Sequence, residues 1–153
     1  MKFELLSVGK PKDQELITLH DRYALRINRF GPKYVSRWVP ESKSGSFSDD
    51  QIQKRDSEAL SAKIGTSGRV IALHPQGQLF GSEQVAARLE GWGTPSVTFI
   101  IGGPLGLHET MLERADVQWS LSPLTFPHEL VRVLVAEQLY RAMTILRRVP
   151  YHK

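Results

Sequence analysis

At 153 residues, 41% of them apolar and 24% charged, the chain has the size and composition of one globular domain that buries roughly two-thirds of its unfolded surface. It has no cysteine, which excludes disulfides, a thiolate zinc centre and a cysteine nucleophile. The net charge of +4 suits a polyanionic partner without requiring one; no stretch approaches the about 18 unbroken apolar residues of a membrane span, and MKFELLSVGK lacks the apolar core of a signal peptide, so a soluble, cytoplasmic protein is expected.

Phe3 to Val8 reads as a short strand ending at Gly9-Lys10-Pro11. Leu16, Leu19, His20, Tyr23, Ile27 and Phe30 recur at helical spacing and predict an amphipathic helix that Gly31-Pro32 stops. Lys33 to Val39 has strand composition, and the serine-rich ESKSGSFSDD that follows predicts a mobile loop. A helix is expected from about Asp50 to Ile64, ended by Gly65–Gly68. Arg69 to Leu73 reads as a buried strand, Pro75-Gln76-Gly77 as a turn, and Ser82 as the N-cap of a helix running to about Glu90. Ser96 to Ile101 is a nearly continuous apolar strand that enters the glycine-rich Gly102–Gly106. A short helix near Glu109 to Ala115, the strand Val117 to Leu121 and the loop Ser122 to Phe126 come next. Pro127 suits the first position of a long last helix, to about Arg148, whose apolar stripe comprises Leu130, Val131, Leu134, Val135, Leu139, Ala142, Met143 and Leu146.

Strands alternating with helices predict a single α/β domain over 1–153: a parallel sheet with helices on both faces. Ligands of such sheets lie beyond the carboxyl ends of the strands, so His74–Gly77, Gly102–Gly106 and Ser122–Phe126 form the candidate rim. The glycine loop is no phosphate loop, because the residues after Gly106 are Leu107-His108-Glu109 where Gly-Lys-Ser/Thr is needed. Nor is it a dinucleotide fingerprint, since position 104 is a proline. Glycines there would let the backbone approach a flat ligand closely.

Two acid-free basic stretches stand out: Arg22, Arg26, Arg29, Lys33 and Arg37, interleaved with Tyr23, Phe30 and Tyr34; and Arg141, Arg147, Arg148 and Lys153. Each reads either as a solvated face or as part of one nucleic-acid surface, depending on whether folding brings them together. No two of the five histidines pair at a metal-ligand spacing, and no metal is expected.

The strings FIIGGPLGL, WSLSPLTFPHELVRVLVAEQLYRAMTI and the closing PYHK, together with MKFELLSVGK and VIALHPQG, closely resemble the RlmH family of ribosomal RNA large-subunit methyltransferases in the SPOUT superfamily, over essentially the whole chain. That resemblance implies a homodimer with a C-terminal trefoil knot that transfers a methyl group from S-adenosyl-L-methionine to N3 of a pseudouridine in large-subunit (23S) RNA, with the assembled ribosome as substrate. It assigns the cofactor to the three rim loops: Leu73; Gly102 and Gly103; and Leu121, Ser122, Pro123, Leu124, Thr125 and Phe126. His74 and Pro123 depart from the family's pattern. Through a Gly103 side chain lying where the adenosyl group sits, Gly103→Val is expected to abolish cofactor binding with folding largely kept.

Because N3 of a uracil-type ring carries a proton, a base is needed near the methyl donor. Glu137 and His152 are the candidates, with Arg141 and Tyr151 orienting the ring or contacting phosphate. Glu137 and Arg141 also read as an ordinary i, i+4 ion pair, and Tyr151-His152-Lys153 as a frayed terminus; the resemblance instead sends that tail to the opposite subunit's site. Two rival functions remain: a non-catalytic ribosome-binding factor, and a SPOUT methyltransferase acting on transfer RNA.

Overall fold

Phe3 through Val8 are all buried, as expected of a strand covered on both faces. The computed structural model describes residues 1–92 and 95–153. In order, the elements are β1 (Lys2–Val8), α1 (Gln14–Asn28), β2 (Lys33–Val39), α2 (Asp49–Ser61), β3 (Arg69–Leu79), α3 (Ser82–Trp92), β4 (Ser96–Ile101), α4 (Glu109–Arg114), β5 (Val117–Ser120) and α5 (His128–Leu146). The strands form one parallel sheet, as the alternating pattern predicts, and the structure sets their order as β2-β1-β4-β3-β5. The two faces carry separate cores. Phe3, Leu5, Ile71, Phe99 and Trp119 pack with α1, α3 and α5, whereas Leu6, Val8, Val70, Ala72 and Ile100 pack with Leu60 and Met111 of α2 and α4.

Local chemistry sets the helix ends. Asp13 caps α1 by accepting from the amides of Glu15 and Leu16, and Ser48 with Gln51 closes a reciprocal capping box on α2. The Ser-rich loop before α2 is tethered: Asp56 accepts the Ser42 amide at 2.8 Å, and Arg55 lies 4.3 Å over the Phe47 ring.

Three sequence expectations are corrected. Pro75-Gln76-Gly77 is not a free turn, because β3 continues to Leu79; Leu73 and Gln78 both pair with Trp119, so residues 74–77 bulge out of one strand. Ser82 is not an N-cap: Gly81 precedes α3 with its carbonyl on the Val85 amide and its amide on Gln84 Oε1, while the Ser82 hydroxyl donates to Gln138 Oε1 of α5 at 2.8 Å. Pro127 is the cap residue itself, extended at ψ 136°, and the helix starts at His128. The physical reason differs from case to case. β5 pairs the strand on both sides of the 74–77 bulge, Gln138 of α5 takes the Ser82 hydroxyl, and the extended ψ of Pro127 keeps it outside the helix.

α5 lies between α1 and α3, so its buried arc is broad. Val133 and Ala136 join the core, along with Arg132 and Thr144, whereas Leu130 and Leu134 of the expected stripe stay half-exposed. α5 ends in a Schellman motif, with Val149 N–H on the Thr144 carbonyl and Arg148 N–H on that of Ile145. The left-handed position is held by Arg148 at φ 54°, where glycine is usual.

Candidate active site

The carboxyl ends of β3, β4 and β5 open into a cavity of about 650 Å³, within the range of small-molecule sites. All three rim segments named from the sequence line it: Leu73 with His74 and Pro75, Gly102 to Gly106, and Leu121, Ser122, Leu124, Thr125 and Phe126; Pro123 does not. The three loops are braced against one another. Ser120, buried at the end of β5, donates its hydroxyl toward the carbonyls of Pro75 (2.9 Å) and Ser122 (3.0 Å), linking the first and third. Gly106 N–H closes a reverse turn on the Gly103 carbonyl at 2.9 Å, with Pro104 at the turn position that needs no donor. Gln53 of α2 holds that turn by donating to the Leu105 carbonyl at 2.7 Å.

Glycine is required here for close backbone packing. A Cβ on Gly102 would lie 2.6 Å from the Gly106 carbonyl carbon, and one on Gly77 2.7 Å from that of Gln118. A Cβ on Gly103 points away from the cavity, toward Val8 Cγ1 at 3.1 Å and Asp56. The expected effect of Gly103→Val is therefore corrected: the added bulk presses on β1 and the underlying core, so it does not simply fill the cofactor's place.

The lining suits an S-adenosyl donor. Among the described lining residues none is Asp, Glu, Lys or Arg, so no fixed cation repels a sulfonium. Leucines, Ile101, Phe126 and Val131 supply apolar walls, and glycine-loop peptide groups lie at the edge. Trp119, also in the lining, buries an Nε1–H that has no partner among the described residues; a donor left unpaired in this way costs free energy until a ligand accepts from it. Gln53, Ser120, Trp119 and Val131 were not found as site residues from the sequence. Only Ser120, a lone hydroxyl inside an apolar strand, carried a local signal.

The four candidate catalytic residues meet elsewhere, on the second half of α5. Glu137 Oε1 accepts from Arg141 Nε (3.0 Å) and Nη2 (2.6 Å) and from the Tyr151 hydroxyl (3.0 Å), while Gln138 Nε2 donates to its other oxygen at 2.7 Å. Arg141 Nη1 lies 3.2 Å from His152 Nδ1. A guanidinium can only donate, so that ring nitrogen accepts and the neutral ring's proton sits on Nε2. The terminal residues are docked, not frayed: the Tyr151 ring packs edge-on against Tyr140 at 4.7 Å, beneath Arg141 at 4.8 Å. The hydrogen bond to Glu137 raises the Arg141 pKa despite burial. Burial, then hydrogen bonds with Tyr23 and Glu137, push the Tyr151 phenol well above its usual range, so it stays a proton donor to the carboxylate.

Folding brings parts of the two basic stretches together. Arg26 of α1 lies 5.5 Å over Tyr140 of α5, and Arg147 reaches the Phe30 carbonyl at 3.4 Å. Arg37 does not belong to that surface, because it pairs with buried Glu4 on the α2 side of the sheet.

An open parallel sheet with a braced, uncharged cavity at its carboxyl rim defines a ligand-binding α/β enzyme fold. The profile of the family described as "Predicted SPOUT methyltransferase" matches residues 1–152. Proteins named "Ribosomal RNA large subunit methyltransferase H" from Lysinibacillus sphaericus and Pseudomonas fluorescens are each 38% identical, covering all of this chain and all of theirs. A solved structure of a probable methylase family protein from Haemophilus influenzae superposes with a TM-score of 0.54 at 12% identity over 99% of this chain and 70% of that one, a likeness of fold. The chain belongs to the SPOUT methyltransferase family, and its methyl donor is S-adenosylmethionine.

Proposed function

We propose that the protein methylates ribosomal RNA of the large subunit at N3 of a pseudouridine, as a homodimer whose active sites are each built from two chains. The observation that carries this reading is a separation. Glu137, Arg141, Tyr151 and His152 are absent from the cavity lining, which α5 reaches only through His128 and Val131. From Val131 to Arg141 the helix rises roughly 15 Å. Methyl transfer needs its reacting atoms about 3–3.5 Å apart and in line, so the cluster of one chain serves the cavity of another. Half-exposed Leu130 and Leu134 of α5 and the 67% exposed Leu124 at the cavity mouth supply apolar surface for that second copy.

The donor supplies an electrophilic methyl group. Rim-loop residues hold and orient it and keep water out. The N3 proton leaves to solvent water as the ring seats, so no side chain of the saturated cluster has to take it. Its loss places negative charge on the two carbonyl oxygens flanking that nitrogen, N–H donors aimed there lower the barrier, and the freed nitrogen lone pair takes the methyl as its bond to sulfur breaks. Arg141, and His152 with its proton on Nε2, are those donors; Glu137, saturated by Arg141, Tyr151 and Gln138, positions them. Arg22, Arg26, Arg29 and the arginines ending α5 grip phosphates, and the relatives' names favour ribosomal over transfer RNA. Membership of the family supports a C-terminal trefoil knot and a cytoplasmic location as part of this reading; no described helix is long and apolar enough to cross a membrane.

Complementation tests the composite site. A variant defective in the cavity, Gly102→Ala, is mixed and re-equilibrated with one defective in the cluster, Tyr151→Phe, and methylation of ribosomal RNA is followed by mass spectrometry. Restored activity in the mixture is expected, since mixed dimers contain one intact site. Two variants that stay inactive together while light scattering shows mixed dimers would overturn the two-chain site, and unmethylated large-subunit RNA with the native protein would overturn the substrate.

A further inference from the structure

Two hollows are lined by the first turns of α5. α5 turns His128 and Val131 toward the first, and Glu129 and Arg132 toward a second of about 260 Å³, bounded by Lys10, α1 and the end of β2. Arg132 is only 7% exposed, and its hydrogen bonds are with the hydroxyls of Ser7 and, at 2.7 Å, Ser36. No salt bridge among the described residues reaches it. The two bordering carboxylates are engaged, Glu129 with the amides of Lys12 and Asp13 and Asp21 with His20. Burial lowers the Arg132 pKa, and the nearby Tyr34, Glu129 and Asp21 only partly offset this; a buried cation with no carboxylate in direct contact is costly. At the mouth stands Trp38, 43% exposed, with Lys10 Nζ 6.0 Å over its ring.

A buried guanidinium with spare donors, an exposed indole face and a lysine ammonium beside it are the parts that recognise a nucleotide: phosphate on the cations, base on the ring. The volume lies below that of drug-sized ligand sites, which suits a phosphate with its ribose and leaves the base outside against Trp38. We infer that this hollow is a nucleotide subsite, separate from the donor cavity, that takes one nucleotide of the RNA strand flanking the target. The inference rests on the RNA methyltransferase reading above.

The whole chain is titrated with uridine monophosphate and, separately, with a short single-stranded oligouridylate, following tryptophan fluorescence, to which Trp38 contributes beside Trp92 and Trp119. S-adenosylmethionine is titrated in parallel by calorimetry. Both nucleotide ligands are expected to quench the fluorescence, and Trp38→Leu removes that signal. For calorimetric binding of the oligonucleotide, Lys10→Ala and Trp38→Leu each weaken affinity at least about fivefold, with donor affinity unchanged. These two surface variants keep the test valid even if Arg132→Leu fails to fold. Binding of the monophosphate alone would keep the subsite and assign it to free nucleotides, overturning its role for the strand. Oligonucleotide affinity unmoved by either variant would overturn the inference while donor binding stands; absent donor binding would instead strike the methyltransferase reading.

Discussion

Replacing Gly102 by alanine should hurt the protein more than the same change at Gly103, although the two glycines are neighbours in one loop. At Gly102 the added methyl would sit 2.6 Å from the Gly106 carbonyl carbon, about 0.8 Å short of the 3.4 Å at which such a contact becomes ordinary, and the obstacle is backbone on three atoms. At Gly103 the nearest atom is a terminal methyl of Val8 at 3.1 Å, which needs to give by only a few tenths of an ångström. Overpacking costs about 1–3 kcal/mol; Gly102→Ala belongs at the upper end and Gly103→Ala near or below the lower. For a chain of this length about 2–3 kcal/mol lowers the thermal midpoint by roughly 4–12 °C. Relief of the clash must also spread the turn closed by Gly103 and Gly106, moving cavity-lining peptide groups, and each donor hydrogen bond lost weakens affinity about fivefold. Thermal melts and calorimetric titration with S-adenosylmethionine measure both. A Gly102→Ala protein with native midpoint and native donor affinity, or one less affected than Gly103→Ala, would refute the packing argument.

Arg148→Gly should stabilise the protein by about 0.5–1 kcal/mol, because an L-residue in the left-handed position costs roughly 1 kcal/mol that glycine avoids; a lower denaturant midpoint would contradict this. Glu137→Gln should lower the methylation rate by about 100-fold or more through loss of the pairing that orients Arg141 and Tyr151, with donor affinity unchanged because Glu137 does not line the cavity. Stability should fall in two stages on acidification, read from urea unfolding at a series of pH values. Burial, only partly offset by Asp21, lowers the His20 pKa, so the unfolded state binds the proton more readily and stability declines as pH drops below about 6.5. Burial raises the Glu4 pKa but hydrogen bonds from Lys2 and Arg37 more than offset this and hold it below the ordinary range. The stability Glu4 contributes is present above about pH 4.3 and is lost as pH falls through its lower folded value. A flat profile in His20→Gln between pH 7 and 5.5, against a slope in the native protein, would confirm the first stage.

The elements and the rim were legible in the chain because each depends on nearby residues. A run such as SVTFII has only one comfortable setting, between two helical layers, and GGPLG permits only a tight turn. The bulge at 74–77 was read as a turn because proline and glycine mark a break in regular strand but not which strand resumes afterward. Ser82 was misread for a related reason: its hydroxyl has two competing uses, and the preferred one, on Gln138, lies 56 residues away.

Sequence alone therefore determined the α/β alternation and the parallel sheet, the three loops at one rim and the family, since periodicity, turn chemistry and motif identity are properties of short stretches. Tertiary structure alone decided that Gly103 faces the core, that Arg37 leaves the basic surface for Glu4, and that Glu137, Arg141, Tyr151 and His152 gather away from the cavity on the same chain. Those outcomes depend on which atoms from distant segments arrive within a few ångströms of one another, and distances of that kind exist only after the sheet and its covering helices have packed.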